Sequence, residues 1–433
     1  MTDFQLEDVL PLTPLQAGML FHALYDSHDV DVYTAQFVLD LEGHVDTTAL
    51  RAAVAALLRR HANLRVGFLH EGLDEPVQAV AREVPVPLEE LDLSGAGGEG
   101  TTEERLAAFL AADRVRRFDL ASPPLMRFTC VRTAPERHRL VMTSHHILLD
   151  GWSMPLLVRE LFELYASRGD DLALPRVAPY RGYLAWLARQ DRAAALEAWR
   201  TALAGVEAPT LLAGPGGAAR SGSADLPATL VLDLGEPATR RLREQARAHR
   251  LTLNTLVQGA WGLLLAHLTG RPDVVFGTTV SGRPPEISGV ESMVGLFINT
   301  VPVRLRPERG ETLAALLTRL QDEQGGLLGS QYVGLTEIRA VTGLDELFDT
   351  LAVFENYPLD AEALRTAQQS LPGLAVTGIS GTDAAHYPLT LTIAPGDALR
   401  ITFGHRADVL DHDEVTRAVA RMRRLLTVMA DGL

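Results

Sequence analysis

Two periodicities alternate along the whole chain, and no all-helical or all-strand architecture accommodates both. Gln36–Leu41 has the two-residue alternation of a strand, and Thr47–His61 has helical spacing rich in alanine and leucine. Leu64–Leu69 reads as the next strand, and Gly95–Thr102 as a loop whose Thr102 can cap the following helix. Strands at Leu125–Arg132 and His138–Ser144 flank a turn at Ala134–Arg137, and a helix runs from Ser153 to about Ala166. Helical spacing returns over Tyr180–Ala204, and the low-complexity stretch Gly214–Pro227 reads as an exposed linker.

The second half repeats the mixture without repeating the sequence. Helices are expected at Pro237–His249 and Thr252–Leu268, where Leu253, Leu256, Val257, Ala260 and Leu264 share a face. Strands are expected at Val274–Thr279, Thr300–Arg306, Thr350–Glu355, Leu389–Ala394 and Leu399–Gly404, with a last helix from about Asp411 to Met429. A chain of 433 residues exceeds the ~250–300 at which one hydrophobic core stops growing. The expectation is an α/β protein of two lobes with mixed sheets.

Composition removes several functions. A net charge of −15 argues against nucleic acid and anionic membrane surfaces, both of which need a basic footprint. All 40 basic residues are arginine, which excludes lysine Schiff-base chemistry and a P-loop lysine. Cys130 is the single cysteine, so no internal disulfide forms and a reducing cytoplasm suits the chain. Its apolar neighbours mark it as a core thiol before a nucleophile. The opening residues MTDFQLEDVL lack the basic start and apolar run of a signal peptide. No uninterrupted apolar stretch of ~18 residues is present, so no segment is expected to span a bilayer.

The chemistry concentrates in Ser144–Ser153, SHHILLDGWS, between an apolar strand and a helix. Adjacent strand side chains point to opposite faces, so His145 and His146 cannot share a task. One faces the body of its lobe and the other a cleft, where an imidazole can exchange protons near neutral pH. Asp150 can orient a histidine, ligate a metal or pair with an arginine. No second cluster with metal-like spacing accompanies it, and no metal is expected. Trp152 and Trp186 read as core aromatics.

HHILLDG resembles the HHxxxDG signature of nonribosomal peptide synthetase condensation domains, members of the chloramphenicol acetyltransferase-like superfamily. Other segments resemble family motifs in the expected order: LTPLQAGMLFH (Leu12–His22), RRHANLRVGF (Arg59–Phe68) with Arg65 at the characteristic arginine, and YRGYLAW (Tyr180–Trp186). VSGRP (Val280–Pro284), MVGLFINT (Met293–Thr300), Gln331–Leu335 and FDTLAVFENYP (Phe348–Pro358) complete the series.

The resemblance implies two acetyltransferase-like lobes in a V-shaped pseudo-dimer with a central substrate tunnel. The N-terminal lobe would cover 1–175. The C-terminal lobe would cover 176–433, with a floor loop at about 280–299 and a latch or crossover region at about 350–390. Upstream donor and downstream acceptor carrier proteins would deliver thioesters on phosphopantetheine arms to a cytoplasmic monomer that holds no permanent cofactor. His146 would be the catalytic histidine, positioning or deprotonating the acceptor amine or stabilising the tetrahedral intermediate. Asp150 would be structural, paired with Arg283, and His145 would pack inward. Gly151 offers an N–H as an oxyanion donor or is simply a turn residue. Arg65 and Asn299 would support the site.

Residue identities separate the relatives. An aspartate-rich signature would mark heterocyclization, and an added histidine at Ser144 would mark β-lactam formation; neither is present. TPLQAGMLFH, HHILLDGW and MVGLFINT lean toward the DCL subtype, with LCL open. The alternatives are an epimerization domain, a non-catalytic platform docking carriers or tailoring enzymes, and an acyltransferase using coenzyme A thioesters. No carrier-protein GG(H/D)S site or adenylation motif appears in these residues, so substrates are expected on carriers supplied in trans.

Overall fold

The computed structural model of the chain describes residues 4–25, 31–95, 100–217, 227–355, 373–382 and 386–433. It divides into two compact units. The first comprises Met1–Arg189, Arg283–Phe297 and Tyr357–Ala384; the second comprises Gln190–Gly282, Ile298–Asn356 and Ala385–Leu433. The units therefore interleave in sequence, unlike the contiguous stretches 1–175 and 176–433. Residues 283–297, the bulk of the expected floor loop, belong with the first unit. Much of the expected latch region, with Asn356–Pro358 of the FENYP motif, lies outside the described residues, as does most of the Gly214–Pro227 linker.

In the first unit, numbered in chain order, β1 (Leu6–Pro11), β3 (Val66–Leu69) and β4 (Val77–Ala81) form a small sheet in the order β1-β4-β3. A larger sheet runs β12-β2-β7-β6-β5, from β2 (Thr34–Gly43), β5 (Leu88–Asp92), β6 (Met126–Ala134), β7 (Arg137–His145) and β12 (Leu374–Thr382). β7 is central, antiparallel to β2 from Thr34↔His145 to Glu42↔Arg137 and antiparallel to β6 on its other edge. Its residues from Leu140 to His145 are all buried, the apolar Leu140, Val141 and Met142 followed by the small polar Thr143 and Ser144.

Helices α1 (Pro14–Tyr25), α2 (Thr47–Arg60), α3 (Thr102–Val115), α4 (Ser153–Ala166) and α5 (Arg181–Leu187) complete this unit. α2 packs on α4. α2 buries its alanines and leucines from Ala49 to Leu58, and α4 buries a stripe that includes Leu157, Leu161 and Leu164. Each fully buried leucine contributes roughly 1.5–3 kcal/mol, and these helices hold the chain after β7 in place. The cap of α3 is Thr101, not Thr102: its side chain accepts the Glu104 N–H while the Glu104 carboxylate accepts the Thr101 N–H. A Thr-x-x-Glu box needs the acid three residues on, and from Thr102 that position is Arg105. The helical stretch Tyr180–Ala204 breaks in two because Asp191 caps α6 (Arg192–Ala202) by accepting the Ala194 N–H. Leu64 and Arg65 lie in a 3₁₀ turn, Ala62–Arg65, ahead of β3.

The second unit is built on one six-stranded sheet in the order β10-β9-β11-β13-β14-β8. Its strands are β8 (Ala228–Asp233), β9 (Val274–Val280), β10 (Asn299–Leu305), β11 (Thr350–Phe354), β13 (Leu389–Pro395) and β14 (Leu399–His405). β11 is parallel to both neighbours and the other pairs are antiparallel, so the sheet is mixed. One face packs with α7 (Glu236–Ala248), α8 (Leu253–Thr269), α9 (Leu313–Gly326) and α11 (His412–Asp431) around Trp261, Phe276 and Phe403. Around Trp199, α6 and α10 (Leu335–Ala340) form a second cluster with Val275, Val301 and Leu351.

The buried tryptophans are Trp199 and Trp261. Trp152 and Trp186, expected in the core, are only half-buried. The Trp152 indole N–H reaches the Glu291 carbonyl at 2.9 Å, and Trp186 stacks on Tyr183. Among the described residues, no helix is long and apolar enough to cross a membrane.

Candidate active site

β7 delivers its last residue, His145, into the interior. The imidazole is fully buried, with Nε2 3.1 Å from Oδ2 of Asp31. Nδ1 accepts the Ile147 N–H at 3.1 Å, which leaves the ring proton on Nε2, facing Asp31. Burial opposes ionisation of Asp31, but the contact with His145 and the Tyr33 N–H outweigh it and hold the carboxyl below its usual value.

The ladder with β2 reaches one residue further, because the His146 N–H donates to the Tyr33 carbonyl at 2.7 Å. Strand alternation then turns the His146 side chain away from the interior, and it is half-buried. Its Nδ1 lies 3.1 Å from the Leu149 carbonyl oxygen. A carbonyl only accepts, so Nδ1 carries the proton, and in the neutral form of the ring the lone pair then lies on Nε2.

The turn after His146 leaves a run of backbone carbonyls in a dry interior, where each needs a donor. Ile147, Leu148 and Leu149 are buried. The Ile147 carbonyl accepts from Gln16 Nε2 at 3.1 Å, the Leu148 carbonyl from Asn63 Nδ2, and the Leu149 carbonyl from His146 itself.

Asp150 closes the turn. Its Oδ1 accepts the N–H and hydroxyl of Ser153 and its Oδ2 accepts the Phe297 N–H. Arg283 Nη2 stands 3.1 Å from Oδ1, and its Nη1 donates to the Val290 and Met293 carbonyls. The guanidinium lies 3.9 Å over the Phe297 ring. Burial pulls Arg283 below the usual guanidinium value, and Asp150 opposes that shift. The Asp150 N–H donates to the Gly295 carbonyl and the Gly295 N–H to Ser153 Oγ. The turn and the 283–297 segment are thus bonded in both directions.

The structure gathers His145, His146, Asp150, Gly151 and Arg283 in one unit. Gly151 occupies the turn before α4. Arg65 lies in the same unit, but its guanidinium binds the carbonyls of Leu58, Ala81 and Arg82 and the Glu7 carboxylate. It joins the small sheet to α2 and contacts neither histidine. Asn299 falls in the second unit, where Nδ2 donates to the Gln331 and Val333 carbonyls at 2.7 Å each. Among the described residues, no three His, Cys, Asp or Glu side chains gather as a metal site. Sequence reasoning passed over Asp31, Gln16 and Asn63. Gln16 and Asn63 stand inside the motifs Leu12–His22 and Arg59–Phe68, and their presence there was the signal available.

The family profile described as "Condensation domain" matches residues 6–432. The chain belongs to the condensation-domain family. This condensation domain is 39% identical over 432 residues to a linear gramicidin synthase polypeptide of Brevibacillus parabrevis, covering 98% of the chain and 6% of that protein. It is 34% identical over 423 residues to bacitracin synthase 3 of Bacillus licheniformis, covering 97% of the chain and 7% of that protein. The chain therefore spans less than a tenth of the length of either relative. Among solved structures, the first condensation domain of the calcium-dependent antibiotic synthetase matches with a TM-score of 0.76 and 22% identity, covering 98% of this chain and 97% of that one. Its mixed α/β fold matches that of the solved condensation domain.

Proposed function

We propose that this domain joins a donor aminoacyl or peptidyl thioester to the α-amine of an acceptor aminoacyl thioester, both presented on phosphopantetheine arms of carrier proteins. The amine nitrogen attacks the donor carbonyl, the C–S bond breaks, and the phosphopantetheine thiol departs with the proton that the amine loses. His146 receives that proton on Nε2 and returns it to the leaving sulfur. The observation that carries the reading is the His146 Nδ1–Leu149 carbonyl bond, which sets the tautomer able to accept at Nε2. Asp150, bonded to Arg283, holds the turn and performs no proton transfer in this reading. Gly151 offers its backbone N–H toward the developing oxyanion. Arg65 and Asn299 act as structural supports. The motif set favours a donor ending in a D-residue.

The test mixes the domain with separately loaded donor and acceptor carriers and follows the product by mass spectrometry, with His146→Ala beside it. Turnover of the wild type with loss in the variant is expected, and D-donors should outpace L-donors. Product no faster than without enzyme would overturn the reading, as would undiminished turnover by His146→Ala. Turnover on coenzyme A thioesters without carriers would overturn the need for carriers.

A further inference from the structure

Gln16 performs two tasks with one amide. Thr13, Pro14, Leu15 and Gln16 open α1 as a capping box: the Thr13 N–H donates to Gln16 Oε1 at 2.9 Å, and the Gln16 N–H donates to Thr13 Oγ1 at 3.2 Å. A backbone N–H only donates, so Oε1 is fixed as the acceptor and the other end of the amide must be the NH₂. That NH₂ reaches the Ile147 carbonyl at 3.1 Å and Gln78 Oε1 at 3.2 Å. Gln78 is itself tied to the Pro11 carbonyl. Both glutamines are fully buried. A glutamate at position 16 would serve the cap equally well but, ionised, could not donate to Ile147. Asn63, 6% exposed in the 3₁₀ turn before β3, donates to the next carbonyl, Leu148.

We infer that Gln16 and Asn63 are positioning residues for His146: by holding the Ile147 and Leu148 carbonyls they aim the Leu149 carbonyl at Nδ1 and so fix the tautomer and direction of the catalytic ring. Three consecutive peptide groups have little freedom once two carbonyls are pinned in a dry interior, because rotating either would bury an unpaired acceptor. The third carbonyl then has one direction, and His146 Nδ1 lies along it. This inference rests on the reading of His146 as the proton acceptor through Nε2.

Two measurements test it. In wild-type protein labelled with ¹⁵N-histidine, His146, assigned by comparison with His146→Ala, should show a protonated Nδ1 and an unprotonated Nε2 at neutral pH. A proton on Nε2 would overturn the inference. Gln16→Met and Asn63→Leu, which keep size and lose the donor, should lower kcat ~10- to 100-fold, the scale of a small misplacement of reacting groups. KM for either loaded carrier should stay within about threefold, because these buried side chains bind no substrate. Their ¹⁵N spectra should show mixed His146 tautomers. Gln16→Asn keeps an amide but withdraws it by one methylene. It gives a milder variant if the others unfold, and it should show a partial loss of kcat with the same tautomer mixing. Folded variants with wild-type kcat and a single tautomer would overturn the inference while leaving the function intact, provided His146→Ala is inactive. Full turnover by His146→Ala would instead strike the functional reading itself.

Discussion

Arg283 Nη2 meets Asp150 Oδ1 at 3.1 Å with side chains 5% and 0% exposed, and this pair bonds the HHILLDG turn to a segment more than 130 residues away in sequence. Removing one member of a buried pair leaves the other charge uncompensated, at about 3–5 kcal/mol. Asp150→Asn and Arg283→Met should each lower unfolding stability by that order. The double variant should lose clearly less than the sum, since neither charge is then stranded. Chemical denaturation of the four proteins measures it, and strict additivity would show that the two residues act separately.

Gly295 supplies the other strand of that connection, and the reason for glycine is space. A Cβ there would lie 2.4 Å from Cδ2 of the buried Tyr180 ring. Tyr180 cannot swing away, because its hydroxyl donates to the Leu296 carbonyl and its ring packs edge-on to Phe297. Gly295→Ala should therefore cost roughly 1–3 kcal/mol by overpacking and loosen the Asp150 and Ser153 contacts. Gly295→Ala with Tyr180→Leu should recover part of that loss, read as the shift in denaturation midpoint.

Much of this architecture is legible in sequence because it is local. β7 announces itself by its apolar run, α4 by its stripe, and the site by its two histidines. What escapes depends on distant partners. β5, Leu-Glu-Glu-Leu-Asp, has adjacent acids and becomes a strand by pairing with β6. β12 is rich in glycine and small residues and lies along β2, with Leu374 opposite Gly43. α9 did carry a signal in Thr312, which caps it by accepting the Ala315 N–H. In the site, the HHILLDG turn is readable, whereas its supports are not. Asp31 finds His145 only once β2 and β7 pair, and Asn63 sits two positions from the arginine that draws attention in its motif. Arg65 and Asn299 show the converse: motif residues whose bonds lie away from the histidines.

Cys130 should be inert in the folded protein. It is 4% exposed on β6, and burial with nearby Glu90 pushes its thiol up to about 11. At pH 8 only roughly one molecule in a thousand then carries the reactive thiolate. Native protein should resist a disulfide-exchange reagent such as DTNB for hours and take up one equivalent when unfolded in guanidinium. Prolonged exposure of the native protein should leave condensation unchanged. Rapid stoichiometric labelling with loss of turnover would place Cys130 in an open, functional position instead.

The Asp31–His145 contact gives the fold a defined response to acid. The folded-state value of Asp31 lies below its ordinary 3.8, so the folded protein binds fewer protons than the unfolded chain across that interval. Its contribution is therefore fully present above the unfolded value and is lost as pH falls through the lower folded value. Asp31→Asn should remove this component. The variant should be less stable near neutral pH by about 1–3 kcal/mol, the cost of losing a charged partner to buried donors. The gap to wild type should narrow as pH drops from about 5 toward 3. Denaturation midpoints of both proteins across that range measure the difference, which cancels every other carboxylate they share. A gap that stays constant on acidification would mean that the fold leaves the Asp31 carboxyl unshifted, and one that widens that the fold raises it; either would overturn the reading.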